Sequence, residues 1–245
     1  MTTRIDVARY QNIVVLTGAG VSAGSGLRTY RGPGGVWEEY NVEEYGHIRS
    51  FRARPQTTWR LYGSRRESLR AAEPNAAHLA LARLEARLRP DQRFLLITQN
   101  VDGLHHRAGS RNVVELHGNL RLTRCSNDAC DLQPFADEAA HADQVPVCPR
   151  CGSVLRPDIV LFGEPIAADA DWTVRRALRD CDLFLAIGTS GLVTPAANFV
   201  LAAEYAGART IYVNLEPMDP PNRAFQEVYL GKAEEVLPEL LGVGD

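Results

Sequence analysis

Four cysteines stand in two pairs, Cys125-x4-Cys130 and Cys148-x2-Cys151, with 17 residues between the pairs. Each pair can present two thiolates to one ion, and the intervening loop is long enough to fold back. Four thiolates with no fifth ligand make a closed tetrahedral zinc site, which is structural rather than catalytic. The alternative is two disulfides. Zinc is preferred because nothing else in the chain reads as secreted: the stretch from Met1 to Val7 lacks the apolar run of a signal peptide. The chemistry must then come from other side chains. The nearest candidate is the lone imidazole of Glu115-Leu116-His117-Gly118, a natural general base for a hydroxyl because it titrates near neutrality. A histidine at a strand end is nonetheless more often structural than catalytic.

A second group is rich in glycine. Gly18, Ala19, Gly20, Val21, Ser22, Ala23 and Gly24 come directly after an apolar run. Two glycines let the backbone turn tightly and approach a diphosphate, Ala23 or Gly24 supplies the small residue needed for helix packing, and exposed N–H groups at a new helix start attract phosphate. One expectation of a dinucleotide fold is unmet: no strand ending in Asp or Glu occurs about 20 residues later. In its place stand Arg28, Tyr30, Arg31 and Trp37, cations for phosphates and aromatics to wall a ring; the plain alternative is a surface loop. Gln99, Asn100, Val101 and Asp102 begin where another apolar run ends. Their amides can orient a ribose or carboxamide, and Asp102 can accept from an amide N–H, although Asn100 or Asp102 could equally cap a helix. His105 and His106 read as solvated or capping residues. Gly188-Thr189-Ser190 and Asn214-Leu215-Glu216 each end a further run and suit ribose hydroxyls or adenine, as strand-end caps also would.

These residues need a scaffold. Short, near-continuous apolar runs at 13–17, 94–98, 113–116, 183–187 and 210–213 read as parallel strands covered on both faces. Helical stretches at 75–88 and 195–205 alternate with them; Leu79, Leu81, Leu84 and Leu88 form the inward stripe of the first, and Gly207 stops the second. The expected fold is α/β, a Rossmann-like doubly wound parallel sheet. Segments 1–27, 73–118 and 158–245 would build this dinucleotide-binding domain. The insertions 28–72, helical, and 119–157, the four-cysteine module, would form a smaller lobe, with a ligand cleft between the two. The 245 residues suffice for such a core, and 45% hydrophobic and 23% charged residues are ordinary for a globular protein. A net charge of −3 argues against broad nucleic-acid or membrane-surface binding. No apolar run reaches transmembrane length. A cytoplasmic home and a monomer are expected, and Cys181 reads as a core residue.

Taken together, the glycine loop from Gly18 to Gly26, Thr98 to Asp102, Glu115 to Gly118, the four cysteines, Arg156 to Glu164, Gly188 to Ser190, and Val213-Asn214 resemble the sirtuins, NAD-dependent protein-lysine deacylases. The resemblance runs from about residue 10 to 240, with the motifs in family order. It implies NAD as co-substrate, one structural zinc, and acylated-lysine proteins as partners. It implies that His117 activates a ribose hydroxyl, and that nicotinamide, O-acyl-ADP-ribose and free lysine are released. Asn100 and Asp102 would hold the nicotinamide and its ribose. Ser22, Arg28 and the Gly18–Gly24 loop would hold the diphosphate. Gly188, Ser190, Asn214 and Glu216 would hold the adenosine half, with Ala233 under the adenine. The peptide would add as a strand between Gly163-Glu164 and Gly191-Leu192-Val193, with Val160 and Phe162 lining the lysine channel.

Arg28-Thr29-Tyr30-Arg31 departs from the Pro-Asp-Phe-Arg of many deacetylase sirtuins and looks closer to the branch that removes acidic acyl groups. That branch carries Tyr-x-x-Arg, here Tyr62-Gly63-Ser64-Arg65. A three-residue spacing puts both side chains on one helix face, where a guanidinium fork and a phenol can meet the carboxylate of succinyl- or malonyl-lysine. Read in isolation, the pair is a solvated helix face. Gly46 replaces a small Ala of that branch and is expected to leave extra room. The resemblance thus implies removal of succinyl and malonyl groups, and acetyl as well. Alternatives are a protein ADP-ribosyltransferase using the same NAD site, a non-catalytic sensor, and a hydride-transferring dehydrogenase.

Overall fold

The computed structural model describes residues 4–244. Residues 1–3, where the N-terminal reading starts, and Asp245, where the last main segment ends, lie outside the described residues. In chain order the strands are β1 (Asn12–Thr17), β2 (Arg93–Thr98), β3 (Val113–Glu115), β4 (Gly118–Cys125), β5 (Phe135–Ala136), β6 (Leu155–Ile159), β7 (Leu183–Ile187), β8 (Arg209–Asn214) and β9 (Glu227–Leu230). The helices are α1 (Val36–Glu39), α2 (Val42–Tyr45), α3 (Ile48–Ala53), α4 (Pro55–Ala71), α5 (Ala76–Arg87), α6 (Leu104–Arg107), α7 (Ala168–Arg179), α8 (Phe199–Tyr205) and α9 (Ala233–Leu240).

Six strands form one parallel sheet in the order β3-β2-β1-β7-β8-β9. Its strands are apolar on both faces because both faces are covered. Ile13 and Val15 of β1 join a core with Leu81 and Leu84 of α5 and Leu237 of α9. Val14 and Leu16, pointing the other way, join a second core with Val174 of α7 and Val200 of α8. Cys181 lies in that second core, as the sequence suggested. The strand order reverses between β1 and β7, which opens a crevice at their carboxyl ends.

Several local expectations change. Leu79 is 39% exposed, so the inward stripe of α5 runs through Leu81 and Leu84 without it. The stretch after β1 is a tight 3₁₀ turn over Ala19–Ser25, closed by left-handed Gly26, rather than an α-helix. Strand β9 escapes an apolar-run search because it is an edge strand with Val228 and Leu230 exposed. No helix of the described residues is long and apolar enough to cross a membrane.

The four-cysteine stretch belongs to a separate antiparallel sheet, β5-β4-β6. Arg66, buried on α4, fastens the helical insertion to it. Its guanidinium donates to the carbonyls of Leu120, Leu122 and Ala139 and lies 3.2 Å from Asp137. Burial pushes the Asp137 carboxyl up. The Ala139 amide, His141, Thr123 and Arg66 outweigh that and hold it at about 2. The chain passes from one sheet to the other through Leu116 and His117. Gly118 takes φ +80° to turn from β3 into β4, and a Cβ there would sit 2.2 Å from the Asp158 carbonyl oxygen.

Candidate active site

A cleft of about 1560 Å³ lies over the carboxyl ends of β1, β2, β7 and β8, against the small sheet and the helical insertion. It gathers most of the residues singled out in the sequence: Gly18, Ala19, Gly20, Ala23, Gly24, Arg28, Tyr30, Arg31, Trp37, Tyr62, Gln99, Asn100, Val101, His117, Val160, Phe162, Gly163 and Glu164. Gly188, Thr189, Ser190, Leu192, Val193, Asn214, Leu215, Glu216 and Ala233 complete it. Val21, Ser22, Asp102, Arg65 and Gly191 are not in its lining.

The glycine loop packs backbone to backbone on the end of β7. Gly18 N–H donates to Ile187 O at 2.9 Å, Gly20 N–H to Gly188 O at 2.8 Å, and Val21 N–H to Gly18 O at 3.1 Å. A Cβ on Gly20 would fall 2.7 Å from Gly188 Cα. The glycines therefore permit a close crossing at the switch point, and these three amides are already occupied rather than exposed for phosphate. Val21 belongs to the core beneath.

Below the cleft floor runs a closed polar network. Ser22 donates to Asp102 Oδ2 at 2.7 Å and accepts from Asn100 Nδ2 at 3.1 Å. His78 Nδ1 meets the Asn75 backbone amide at 3.2 Å and Asn75 Oδ1 at 3.1 Å, and its Nε2 lies 3.3 Å from Ser22 Oγ. Asp102 also accepts from Leu104 N–H, the capping role that the sequence left open. Asn100 Nδ2 donates to Gly18 O as well, which leaves its carbonyl oxygen for a ligand. His105 is not solvated: it is 2% exposed, stacks on His78 at 4.8 Å, and meets Thr17 Oγ1 at 3.0 Å. Burial lowers the pKa of both rings, that of His78 to about 4, against the pull of Asp102. No sequence signal marked His78; only its place three residues after the cap Asn75 hints at a bonded ring.

His117 stands between β3 and β4 and lines the cleft. Its Nδ1 lies 3.0 Å from the Gln99 carbonyl, which can only accept, so the neutral ring keeps its lone pair on Nε2. Burial lowers the His117 pKa, and the bond to Gln99 opposes that. Val160 N–H donates to the His117 carbonyl at 2.9 Å, so the backbone is held from both sheets. Gln99 Nε2 crosses the floor to Thr189 Oγ1 at 3.0 Å.

At the opposite wall, Tyr30, Trp37 and Phe162 pack in series, the first pair tilted at 5.5 Å between centroids and the second edge-to-face at 6.1 Å. Phe162 is pinned by exchange with Gly46 and Ile48: its N–H donates to Gly46 O and its carbonyl accepts from Ile48 N–H, each at 2.9 Å. Trp37 fills the space above Gly46, since a Cβ there would lie 2.9 Å from Trp37 Cη2. The extra room expected at Gly46 is thus taken by an indole. Tyr62, on α4, is buried in this wall, and burial holds its phenol protonated well above the ordinary range. Arg65 lies over the Tyr30 ring at 4.9 Å and donates to Arg28 O at 3.2 Å, with no carboxylate partner among the described residues. Arg28 is engaged with Glu39 at 2.7 Å and with Gly34 O. Glu164 forms a two-point pair with Arg156, both contacts 2.6 Å, so its backbone rather than its carboxylate is left for a partner.

Beyond the cleft, the four cysteine sulfurs lie within 4.8 Å of one another, Cys125 facing Cys151 at 3.5 Å and Cys130 facing Cys148 at 3.7 Å. A disulfide needs about 2.05 Å. A tetrahedron with Zn–S near about 2.3 Å has sulfurs about 3.8 Å apart, and the cluster fits that. The four sulfurs fit a structural zinc centre.

A Sir2 family model matches residues 18–195. This chain belongs to the Sir2 family, the sirtuins. An NAD-dependent protein deacylase of Salmonella typhimurium is 44% identical over 236 residues, spanning 94% of this sirtuin and 82% of the relative. A solved Sir2 homologue–NAD complex superposes with a TM-score of 0.87 at 40% identity, covering 96% of this chain and 90% of that one. A Sir2–p53 peptide–NAD+ complex does so at 0.83 and 31%, covering 96% and 94%. Sirtuins use NAD as co-substrate, and the cleft fits it in size, in the backbone crossing at Gly20 and Gly188, and in the ligand-free carbonyl of Asn100.

Proposed function

We propose that this sirtuin is an NAD-dependent protein-lysine deacylase that prefers malonyl and succinyl groups and also accepts acetyl. The deacylase reading follows from the family and from the 44% identity to named deacylases. The acyl preference rests on one observation: Tyr62 lines the aromatic end of the cleft, and Arg65, three residues on along α4 and lying over the Tyr30 ring just behind that lining, has no carboxylate partner among the described residues. An acyl carboxylate would give the guanidinium the two-point partner it lacks, with the buried phenol as a third donor. Arg31, whose pKa burial lowers, adds a second cation to the same wall.

When bound, NAD supplies an electrophilic sugar carbon and ribose hydroxyls. The chain's own residues divide the remaining tasks. Asn100 accepts from the carboxamide through its free carbonyl oxygen. Asp102 and Ser22 act from below by fixing Asn100. Gly18, Gly20 and Gly188 bring backbone close to the diphosphate. Ser190, Asn214, Glu216 and Ala233 receive the adenosine. His117 takes a hydroxyl proton on Nε2 while Gln99 holds the other nitrogen. The walled cleft keeps water from the developing positive charge. The acylated peptide enters as an added strand between Gly163-Glu164 and Gly191-Leu192-Val193, through backbone bonds that tolerate many sequences.

The working unit is one chain, since its own residues build every wall described. Two lobes divide near residues 27, 72, 118 and 157, although β4 starts at Gly118 and β6 runs to Ile159. Four unbridged thiols suit a reducing cytoplasm. The test is one peptide carrying acetyl-, malonyl- or succinyl-lysine, assayed with wild type and Arg65→Met. Desuccinylation should fall far more than deacetylation; equal loss removes the acyl-sensor role. Label from NAD appearing on the target protein, with no O-acyl-ADP-ribose, would replace deacylation by ADP-ribosyl transfer.

A further inference from the structure

The stretch 160–164 serves three parts of the cleft at once. The Val160 amide holds the His117 carbonyl at 2.9 Å, Phe162 carries the end of the aromatic wall, and Gly163-Glu164 forms one bank of the groove assigned to the peptide. The stretch lies between β6 and α7, outside any helix or strand, so side chains must fix it. Its middle is tied through Phe162 to Gly46 and Ile48. Its far end is tied by Glu164, whose carboxylate folds back on β6. Oε1 and Oε2 each accept from Arg156 at 2.6 Å, and Oε2 also accepts from Leu161 N–H at 2.8 Å. Arg156 is 3% exposed, donates to Ile159 O at 2.9 Å and lies over the Phe51 ring at 5.2 Å. Arg124 of β4 stands directly opposite Arg156 in the strand register, a pairing of like charges that is unfavourable unless an anion joins it. Asp158 meets Arg124 at 3.3 Å, and Glu164 reaches it at 3.9 Å. Glu164 N–H closes the turn on Leu161 O at 3.0 Å. The Gly163 amide and the carbonyls of Gly163 and Glu164 have no partner among the described residues.

We propose that the Arg156–Glu164 pair is a latch that positions the protein substrate: it sets residues 160–164 so that their open backbone groups meet the incoming strand and the acylated lysine is delivered beside His117. Both are positioning residues, since neither side chain meets a reacting atom. A two-point, charge-assisted pair fixes geometry as well as distance, which a single bond would not. The inference rests on the proposed strand addition between Gly163-Glu164 and Gly191-Leu192-Val193.

Two variants test it. Arg156→Lys keeps the charge and gives up the fork; Glu164→Gln keeps an acceptor and gives up the charge. An acetyl-lysine peptide and ADP-ribose are each titrated calorimetrically into zinc-loaded wild type and variants, with KM for peptide and for NAD and the melting temperature measured alongside. Peptide affinity should fall by about tenfold or more, as expected for one or two lost backbone hydrogen bonds, and peptide KM should rise with it, while ADP-ribose affinity and KM for NAD stay within about twofold. The loss should be the same for acetyl-, malonyl- and succinyl-lysine peptides, because the latch acts on backbone. If Arg156→Lys does not fold, Glu164→Gln decides alone. Unchanged peptide affinity overturns the proposal. So does an equal loss of both ligands with a lowered melting temperature, the mark of a merely structural pair. Wild type separates the two levels. If it binds the peptide and the variants match it, only the latch fails; if it binds ADP-ribose but no acylated peptide, the strand addition fails and takes the latch with it.

Discussion

The two sheets of this sirtuin are held by different physics. The parallel sheet carries apolar side chains on both faces and buries them in two cores, so its order comes from hydrophobic burial. The antiparallel sheet has two ends: Leu120 of β4 and Ile159 of β6 are buried in a core with Leu61 and Leu69 of α4, whereas at the cysteine end only Leu155 is buried beside the ligands, with Leu132 packed at the edge. Sulfur ligation stands in for a core at the cysteine end, and the Arg66–Asp137 tie adds to the packing of α4 on the sheet. The candidate catalytic residues sit along the seam, and His117 is carried by the short link between the sheets. One lobe can therefore be lost without the other, while the site needs both.

Removing the metal should separate the two sheets most severely. A structural zinc is worth on the order of 10 kcal/mol of folding free energy. Chelation, or Cys148→Ser, should abolish deacylation while β1, β7 and β8 keep slow amide exchange and β4 and β6 lose it. Retained activity in metal-free protein would end the structural-zinc reading. The next largest effect is chemical. His117→Tyr should cut kcat by roughly 10²–10⁴-fold with zinc content and melting temperature unchanged. Its natural companion is the pH profile: since burial lowers the His117 pKa, the acid limb of kcat/KM should have its midpoint below the ordinary imidazole value of about 6.5. A limb at or above that value would argue against His117 as the base.

Mechanical coupling comes third. Arg66→Met leaves Asp137 without its cation and should destabilise the small lobe by about 3–5 kcal/mol in denaturant titration. An effect spread evenly over both sheets would dissolve the distinction between them. The most gradual effect, spread over pH rather than lost at once, belongs to the polar floor of the large sheet. His78 and His105 have lowered pKa values in the fold, His78 about 4, so the unfolded chain binds more protons below about pH 6.5. Stability is fully present above that pH and should fall as pH drops toward about 4, by up to about 1.4 kcal/mol per pH unit for each ring. His78→Asn should flatten the slope.

Motif chemistry was legible along the chain because it is local. Cys125-x4-Cys130 and Cys148-x2-Cys151 announce a metal by ligand type and spacing, and the apolar runs at 13–17 and 183–187 announce buried strands. Strands β4, β6 and β9 were not legible, since their apolar positions are few and partly exposed. Burial of His105, the indole over Gly46, and the amides of Gly18 and Gly20 turned inward were equally hidden. His105 and the two glycines are set by neighbours tens of residues away or more, and the indole by the turn of the chain between Trp37 and Gly46.

The order of amino acids thus carried the family, the metal ligands, five of the six strands of the parallel sheet and the candidate base. Folding in three dimensions settled which glycine amides are taken up by the backbone crossing, that His105 is buried, and that Gly118 must carry no side chain. The cause is reach: residue type and spacing encode bonds made within a turn or a strand, whereas close approach between distant backbones depends on how the packed elements finally meet.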